Sequence, residues 1–279
     1  MSALITLADD SLLPGLDRVL IWFNDPENWW GPSGLLIRIR EHIEYTLIIL
    51  LIAMLIALPL GLLIGHTGRG VVAVVGLANG LRAVPTLGLV ILLSIWVTPT
   101  IDYTAAVPGL LQRGALPYFI PVVIVLILLA LPPILTATYA GVDNVDPAVR
   151  DAARGMGMTG WQVVRKVEVP CALPLILSGI RSATLQVIAT VTVASYLPFL
   201  GGLGRFIKDG AGQLQDLQNG YPAMVAAGIV VAVLAVLVDG LLNLAQRAVV
   251  SPGVSERFSK RHRPGVTTAV TGEARLAQA

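Results

Sequence analysis

The sequence predicts an all-α membrane protein with about five transmembrane helices. Of its 279 residues, 55% are hydrophobic and only 13% are charged, and the mean hydropathy is +0.78. Soluble domains carry about a quarter charged residues, and the apolar residues here are gathered into long runs. These observations exclude a cytosolic enzyme, a disordered chain and a nucleic-acid-binding module. The single cysteine, Cys171, excludes an intrachain disulfide.

A helix needs about 20 mostly apolar residues to cross the hydrocarbon core of a membrane. Five segments meet this length: 43–64, 71–97, 118–140, 174–197 and 222–245. The second contains Arg82 and Pro85 near its middle. We interpret it as one kinked span, because either half alone is too short to cross; two short helices are the alternative. Pro85 is expected to face protein or a translocation path.

The flanking charges predict the orientation. Residues 1–35 carry five acidic side chains against Arg18 alone, whereas the chain from Arg247 onward carries six basic side chains against two acidic ones. Basic flanks stay in the cytoplasm, so an external N-terminus and a cytoplasmic C-terminus are expected, which requires an odd number of crossings. Arg38 and Arg40 favour the opposite orientation with six helices, and this alternative stays open.

These features predict three regions. Residues 1–42 form a non-cytoplasmic or interfacial segment, 43–247 the transmembrane domain, and 248–279 a flexible cytoplasmic tail. Residues 35–45 fit either an amphipathic helix at the membrane interface or an extension of the first span. The expected location is the cell membrane, with several crossings of the lipid bilayer.

The polar loop at 141–171 lies between the third and fourth predicted spans, which places it in the cytoplasm. Asp146 is suited to cap a helix that begins at Pro147 and runs to Arg154. Gly155 and Gly157 are expected to break this helix.

A second short helix is expected in the same loop. Thr159 is suited to cap it, and the helix is expected to run to Val167. Pro170 and Pro174 are expected to end it. The two short helices would form a projection that a cytoplasmic partner can bind.

This loop resembles the EAA loop of integral membrane subunits of bacterial ATP-binding cassette (ABC) importers. The family pattern is Glu-Ala-Ala, three residues, Gly, nine residues, then Ile-any-Leu-Pro. Here the chain has Asp151-Ala152-Ala153, three residues, Gly157, nine residues, and Val167-Glu168-Val169-Pro170. Asp replaces Glu, and Val replaces both Ile and Leu, while the spacing is intact.

The resemblance implies a type I ABC importer permease, whose loop holds a coupling helix that docks on a separate ATPase. Small alanines allow close approach of the partner, a glycine permits a positive φ, and methionines pack adaptably on a moving surface. The coupling residues that it implies are Asp151, Ala152, Ala153, Gly155, Met156, Gly157, Met158, Thr159, Trp161 and Pro170.

Further stretches resemble the osmoprotectant branch of this family, whose members import glycine betaine, carnitine, choline or related compounds. The stretches are 131–142, 155–161 and 201–204, and the likeness extends over about 41–247. Ala137 departs from the branch, whose members more often carry Asn there. An importer of amino acids such as methionine shares the same core and is an alternative substrate assignment.

No phosphate-binding loop with the pattern Gly-x-x-x-x-Gly-Lys-Ser/Thr occurs. The resemblance therefore implies that ATP hydrolysis belongs to a separate ATPase subunit and that this chain is not itself an enzyme. It also implies a periplasmic or lipid-anchored solute-binding protein and a second permease, either a copy of this chain or a paralogue. No cofactor is expected, and the scattered His42, His66 and His262 predict no metal site.

Three charges lie inside predicted spans: Arg82, Arg181 and Asp239. We expect Asp239 to pair with one of the arginines across two spans, because an unpaired charge facing lipid is costly; snorkelling to the cytoplasmic surface is the alternative. With Pro85 and Tyr196 these are the candidate gate or path residues. An ion-gradient-driven transporter is expected to show inverted repeats, and a membrane enzyme is expected to show clustered titratable groups. The sequence shows neither feature.

Overall fold

The computed structural model describes residues 16–73, 76, 80, 83–101, 114–213 and 220–250. Within these ranges the regular structure is helical and no strand occurs, which confirms the all-α prediction. In chain order the helices are α1 (Leu16–Asn24), α2 (Pro26–Trp30), α3 (Leu35–Thr67), α4 (Thr86–Val97), α5 (Leu116–Asp143), α6 (Pro147–Gly155), α7 (Gly160–Val163), α8 (Val169–Val191), α9 (Gly204–Ala211) and α10 (Gly220–Val249).

Four of the predicted spans coincide with long apolar helical stretches. Among the described residues, the stretches long and apolar enough to cross a membrane are Pro26–Thr67, Leu116–Asp143, Gly160–Tyr196 and Gly220–Val249. Residues 35–45 belong to α3, which is one helix of 33 residues. The structure therefore shows an extension of the first span and not a separate interfacial helix.

Helices α3 and α5 run parallel to each other. Near their beginnings the rings of Tyr45 and Phe119 lie 5.2 Å apart. Further along, a Cβ on Gly61 would lie 2.7 Å from the Cβ of Thr138. Because both helices run in the same direction, the chain between them must return once across the bundle.

The remaining long helices alternate in direction. The Gln186 side chain of α8 donates a hydrogen bond to the carbonyl of Leu129 in α5 at 3.1 Å, and Gly179 lies beside Pro133, so α8 runs antiparallel to α5. Gln246 of α10 donates to the carbonyl of Pro174 at 3.3 Å, so α10 again reverses. Among the described residues, the helices that pass between the two ends of the bundle are α3, α5, α8 and α10. The number of membrane spans stays a prediction.

The second predicted span is interrupted at the position of its proline. Residues 71–73, 76, 80 and 83 are helical, Val84 and Pro85 are not, and α4 begins at Thr86. A proline disfavours helical geometry in the residue before it and lacks the N–H that would continue the helix. The prediction of one continuous kinked helix is therefore wrong at Val84 and Pro85. Between 73 and 83, the residues other than 76 and 80 lie outside the described part of the chain.

The prediction that Pro170 and Pro174 end the second loop helix is also wrong. From α7 the chain continues through a π-helical turn, Val164–Glu168, directly into α8. Pro170 lies in the first turn of α8, where the missing N–H and the fixed φ of a proline are tolerated. A π-turn widens the helix at this point, so the loop and the fourth span form one continuous helical path.

Apolar contacts among α3, α5 and α8 form the main core, with Ile49, Leu126, Ile134 and Val187 fully buried. The first two short helices do not cross the bundle, since α1 has nine residues and α2 has five. They lie at the end of the bundle where α3 begins, and Trp22 of α1 makes an edge contact with Phe206 of α9 at 5.5 Å.

Replacing Gly179 with Ala should destabilise the bundle. A Cβ at this position would overlap Ala137 and lie 2.8 Å from the carbonyl oxygen of Pro133, so α5 and α8 would have to separate. We expect a loss of about 1–3 kcal/mol in the free energy of unfolding, measured by denaturation in mixed micelles. Gly228→Ala is the control, because a Cβ on Gly228 of α10 meets no atom within 4 Å. Equal stabilities of the two variants would contradict this packing.

Candidate functional site

The end of the bundle where α3, α5 and α10 finish and α8 begins is called the inner end here; the opposite end is the outer end. Among the described residues, the inner end carries six basic and four acidic side chains, and the outer end carries five basic and six acidic ones. The excess of basic residues at the inner end agrees with the predicted cytoplasmic position of the loop and of the C-terminus.

Helix α6 begins as the sequence predicts. The Asp146 carboxylate accepts a hydrogen bond from the backbone N–H of Ala148 at 2.9 Å, and Pro147 occupies the first helical turn. The helix ends at Gly155, and Gly157 follows with φ +84°. This left-handed conformation, which glycine adopts without strain, turns the chain from α6 into α7.

Helix α7 begins with the predicted cap. The backbone N–H of Thr159 donates to the Gln162 side chain at 2.8 Å, and the reciprocal bond completes a capping box. Helices α6 and α7 together with the turn between them form a projection at the inner end, which we call the knob (147–163).

The exposed surface of the knob contains most of the predicted coupling residues. Met156 is 72% exposed and Trp161 is 70% exposed, which is unusual for large apolar side chains. Exposed positions also include Asp151, Ala152, Gly155, Gly157, Thr159 and, in α8, Pro170, whereas Met158 is half-buried.

Ala153 is buried, with only 2% of its surface exposed. Its small side chain therefore packs against the chain itself and does not contribute to the exposed surface of the knob. Its coupling role stays a prediction, while Ala152 beside it is exposed.

A buried carboxylate lies beneath the knob. Glu168, the last residue of the π-turn, has no exposed surface. Both of its oxygens lie 2.9–3.0 Å from Nδ1 of His66 in α3. Its Oε1 also lies 3.1 Å from Nε of Arg150 in α6. The Arg150 guanidinium donates in addition to the carbonyl of Val142 in α5.

The sequence did not single out this cluster. Glu168 occupies the variable position of the motif, and nothing in the local pattern says that its side chain turns inward. His66 lies 102 residues away. The only available signal was a glutamate between two apolar residues at the start of an apolar helix. Among the described residues, no three His, Cys, Asp or Glu side chains are placed to hold a metal ion.

The predicted pairing of Asp239 is present. The Arg181 guanidinium of α8 makes two parallel hydrogen bonds to the Asp239 carboxylate of α10. About a third of each side chain is exposed. Arg181 lies 12 residues beyond the start of α8 and Asp239 ten residues before the end of α10. These positions lie about 15–18 Å along their helices from the inner end.

The other candidate gate or path residues lie apart from this pair. Arg82 falls outside the described residues. Pro85 is exposed, so in the single chain it does not face protein. Tyr196 is 44% exposed and lies at the outer end. Among the described residues, the structure does not bring Pro85 or Tyr196 together with Arg181 and Asp239.

At the outer end a tight turn follows Tyr196. Phe199 has φ +63°, a conformation that is strained for an aromatic residue, and its ring lies 5.8 Å from that of Tyr118. The turn is held to α3, because the N–H of Gly202 donates to the Glu41 carboxylate at 2.8 Å. Arg38 donates to the same carboxylate at 2.9 Å.

An apolar groove of about 220 Å³ lies between α3, α8 and α10. Among the described residues that line it, Thr46 and Thr184 are the polar ones, and both hydroxyls donate to carbonyls of their own helices. The groove therefore offers no free polar group to a hydrophilic solute.

Comparison with known proteins assigns the chain to a family. The family model for the binding-protein-dependent transport system inner membrane component matches residues 39–251. The glycine betaine/carnitine/choline transport system permease protein OpuCB of Bacillus subtilis (strain 168) is 31% identical over 221 residues, which are 79% of this chain and 90% of the relative. The carnitine transport permease protein OpuCB of Listeria monocytogenes is 31% identical over 229 residues, covering 82% and 91%.

Two further similarities agree with this assignment. The osmoprotectant import permease protein OsmW of Salmonella typhimurium (strain LT2) is 30% identical over 214 residues, covering 77% of this chain and 91% of the relative. Among solved structures, a chain of the methionine ABC transporter MetNI in an inward-facing conformation matches with a TM-score of 0.58 at 21% identity. It covers 78% of this chain and 96% of that one. This match confirms the predicted permease fold.

The Arg181–Asp239 pair should stabilise the contact between α8 and α10. We expect the double variant Arg181→Gln/Asp239→Asn to lose less stability than the sum of the single variants, because each single change leaves the other charge unpaired. The measurement is a double-mutant cycle by denaturation in mixed micelles. The pair between Arg205 and Asp209, which lies within α9 and is more exposed, is the control and should show weaker coupling. Additive losses at positions 181 and 239 would show that the two side chains act independently.

Proposed function

Because the chain belongs to the family of inner membrane components of binding-protein-dependent transport systems, we propose that it is the permease subunit of an ATP-driven importer for a small osmoprotectant. The alignments with its relatives at 30–31% identity cover about 90% of the length of each relative. These relatives are named for glycine betaine, carnitine, choline or osmoprotectant import. This agreement among the relatives is the observation that carries the substrate assignment. A trimethylammonium group is common to the three named compounds.

The knob is the proposed docking site for a separate ATPase subunit. It projects from the inner end, where basic residues are in excess, and its two large apolar side chains, Met156 and Trp161, are mostly exposed. Such a surface is suited to bury itself in a groove of a partner. The sequence shows no phosphate-binding loop. In this proposal a separate ATPase hydrolyses ATP and moves the knob on which it is docked.

The proposed transporter contains two permease chains and receives its substrate from a solute-binding protein at the outer end. Only 11% of the most apolar window of α10 is buried in the single chain. On α4 the large side chains Ile95 and Trp96 are 64% and 73% exposed. These surfaces suit contact with lipid and with a second permease, either a copy of this chain or a paralogue.

Alternating access is the proposed mechanism. ATP-driven movement of the knob would shift the helices between inward-open and outward-open arrangements. The bond between Arg181 and Asp239 joins α8 to α10, so separating these helices there requires that the pair break or slide. We include this pair in the gate, with Arg82, Pro85 and Tyr196 as further path residues.

Uptake of radiolabelled substrates tests the substrate assignment. A strain that lacks this chain should lose uptake of at least one of glycine betaine, carnitine, choline or proline, and expression of the chain should restore it. Methionine uptake is measured in parallel, because the fold is also that of a methionine transporter. Restoration of methionine uptake alone would replace the osmoprotectant assignment. Uptake that continues after ATP depletion but stops when the ion gradient is collapsed would point instead to a secondary transporter.

Replacing Gly157 with Ala should weaken coupling to the ATPase. Gly157 has φ +84°, and an L-residue in this region costs about 1–2 kcal/mol, so the turn between α6 and α7 should deform. We expect ATPase activity stimulated by the binding protein in proteoliposomes to fall by up to about 30-fold.

Gly70→Ala is the matched control. Gly70 also has a positive φ, +86°, and a Cβ at either glycine meets no atom within 4 Å, but Gly70 lies outside the knob. The two variants therefore add the same methyl group and the same kind of backbone strain at different places. Normal stimulation in Gly157→Ala would exclude a role for the shape of this turn in coupling.

A further inference from the structure

We propose that Glu168, together with His66 and Arg150, forms the joint through which movement of the knob reaches the transmembrane helices. The three residues belong to three separate elements: the π-turn before α8, the end of α3, and α6. In this proposal they act as positioning residues for transport. The inference rests on the coupling role proposed above and names the residues that carry the movement inward.

Complete burial makes the Glu168 carboxylate dependent on its partners. A buried carboxylate costs several kcal/mol unless charges and hydrogen bonds compensate it. Here compensation comes from His66 and Arg150, one from each neighbouring element. A displacement of either element would remove one of the carboxylate's two partners. The cluster therefore resists separation of the three elements more strongly than apolar packing would.

His66 connects the cluster to α3. Nδ1 of His66 lies within hydrogen-bond distance of both Glu168 oxygens, and an ionised carboxylate accepts the hydrogen of the ring N–H. His66 is the second-to-last residue of α3, a helix that continues to the outer end of the bundle. A pull on Glu168 thus acts directly on the end of a transmembrane helix.

Arg150 connects the cluster to the knob. Within α6 the only buried residue is Ala153, so this helix has few other fixed contacts with the bundle. The Arg150 guanidinium pairs with Glu168 and also donates to the carbonyl of Val142 near the end of α5. Movement of α6 must therefore either carry Glu168 and α5 along or break these charged contacts.

The π-turn links the knob to α8 and turns the Glu168 side chain toward the cluster. Val164–Glu168 connects α7 without interruption to α8, so the knob and the fourth span share one helical path. Glu168 is the last residue of this turn and faces the cluster. Short π-segments inside helices occur frequently at functional sites. Here the segment turns a charged residue inward at the point where the loop becomes a membrane helix.

The test uses the assembled transporter, with its ATPase and binding protein, in proteoliposomes. Solute uptake and ATP hydrolysis are measured together, and the readout is the amount of substrate moved per ATP hydrolysed. We expect this ratio to fall by about tenfold or more in His66→Leu and in Glu168→Gln. His66→Asn should restore most of the ratio, because the Asn side-chain N–H₂ can take the position of Nδ1 and donate to Glu168.

Asp209→Asn is the control, since it removes a carboxylate from an ion pair within one helix at the outer end; its ratio should match the original chain. A purely structural role would lower the amount of assembled transporter and leave the ratio unchanged, which would overturn the proposal. Equal losses in His66→Leu and His66→Asn would also overturn it, because the donor would then be irrelevant.

Failure of a variant to assemble and failure of the proposed coupling role can be distinguished from failure of the joint. If Glu168→Gln fails to assemble, the comparison between the two His66 variants decides, since His66 is partly exposed and tolerates replacement more readily. If the unaltered transporter shows no ATP hydrolysis that depends on binding protein and substrate, the coupling role of the knob itself fails, and the joint fails with it.

Discussion

The close parallel contact between α3 and α5 is the constraint on which the rest of the bundle depends. It is possible because α3 has glycine at the points of nearest approach: a Cβ on Gly61 would lie 2.7 Å from Thr138, and one on Gly65 would lie 2.6 Å from Val142. Small residues permit such contacts between membrane helices, where the hydrophobic effect does not drive association. Two parallel helices joined along the chain require a return passage between them, and the interrupted segment before and after Pro85 supplies it.

The same contact places the inner ends of α3 and α5 side by side, and the charged cluster follows from that position. Val142 packs against Gly65 and also accepts a hydrogen bond from Arg150. His66, the next residue of α3, is then close enough to reach Glu168. A larger residue at position 65 would separate the two helix ends and with them the partners of the buried carboxylate. The polar contacts beneath the knob therefore depend on the close packing of α3 against α5.

The sequence predicted those features that depend on local chemistry. The apolar runs located the long helices, Asp146 and Thr159 were identified as caps, and Gly157 was expected to adopt a positive φ, which it does. Prolines were harder to interpret because their effect depends on context. Pro85 interrupts its helix, whereas Pro170 and Pro174 lie within a continuous one, and a π-turn precedes them. Contacts between residues distant in the chain, such as His66 with Glu168, have no local signature. The pair Arg181–Asp239 was predictable only because a charge inside an apolar run requires a partner.

Charged side chains join both ends of α3 to the segments that directly precede and follow α8. At the outer end, Glu41 accepts from the N–H of Gly202, beyond α8; at the inner end, His66 binds Glu168, before α8. Apolar packing fills the distance between these points. By contrast, the polar contacts from α10 to α8 come from Asp239 and Gln246 among the described residues, and α10 is largely exposed. Because α3 and α8 are joined at both ends, a force applied at the knob moves them together.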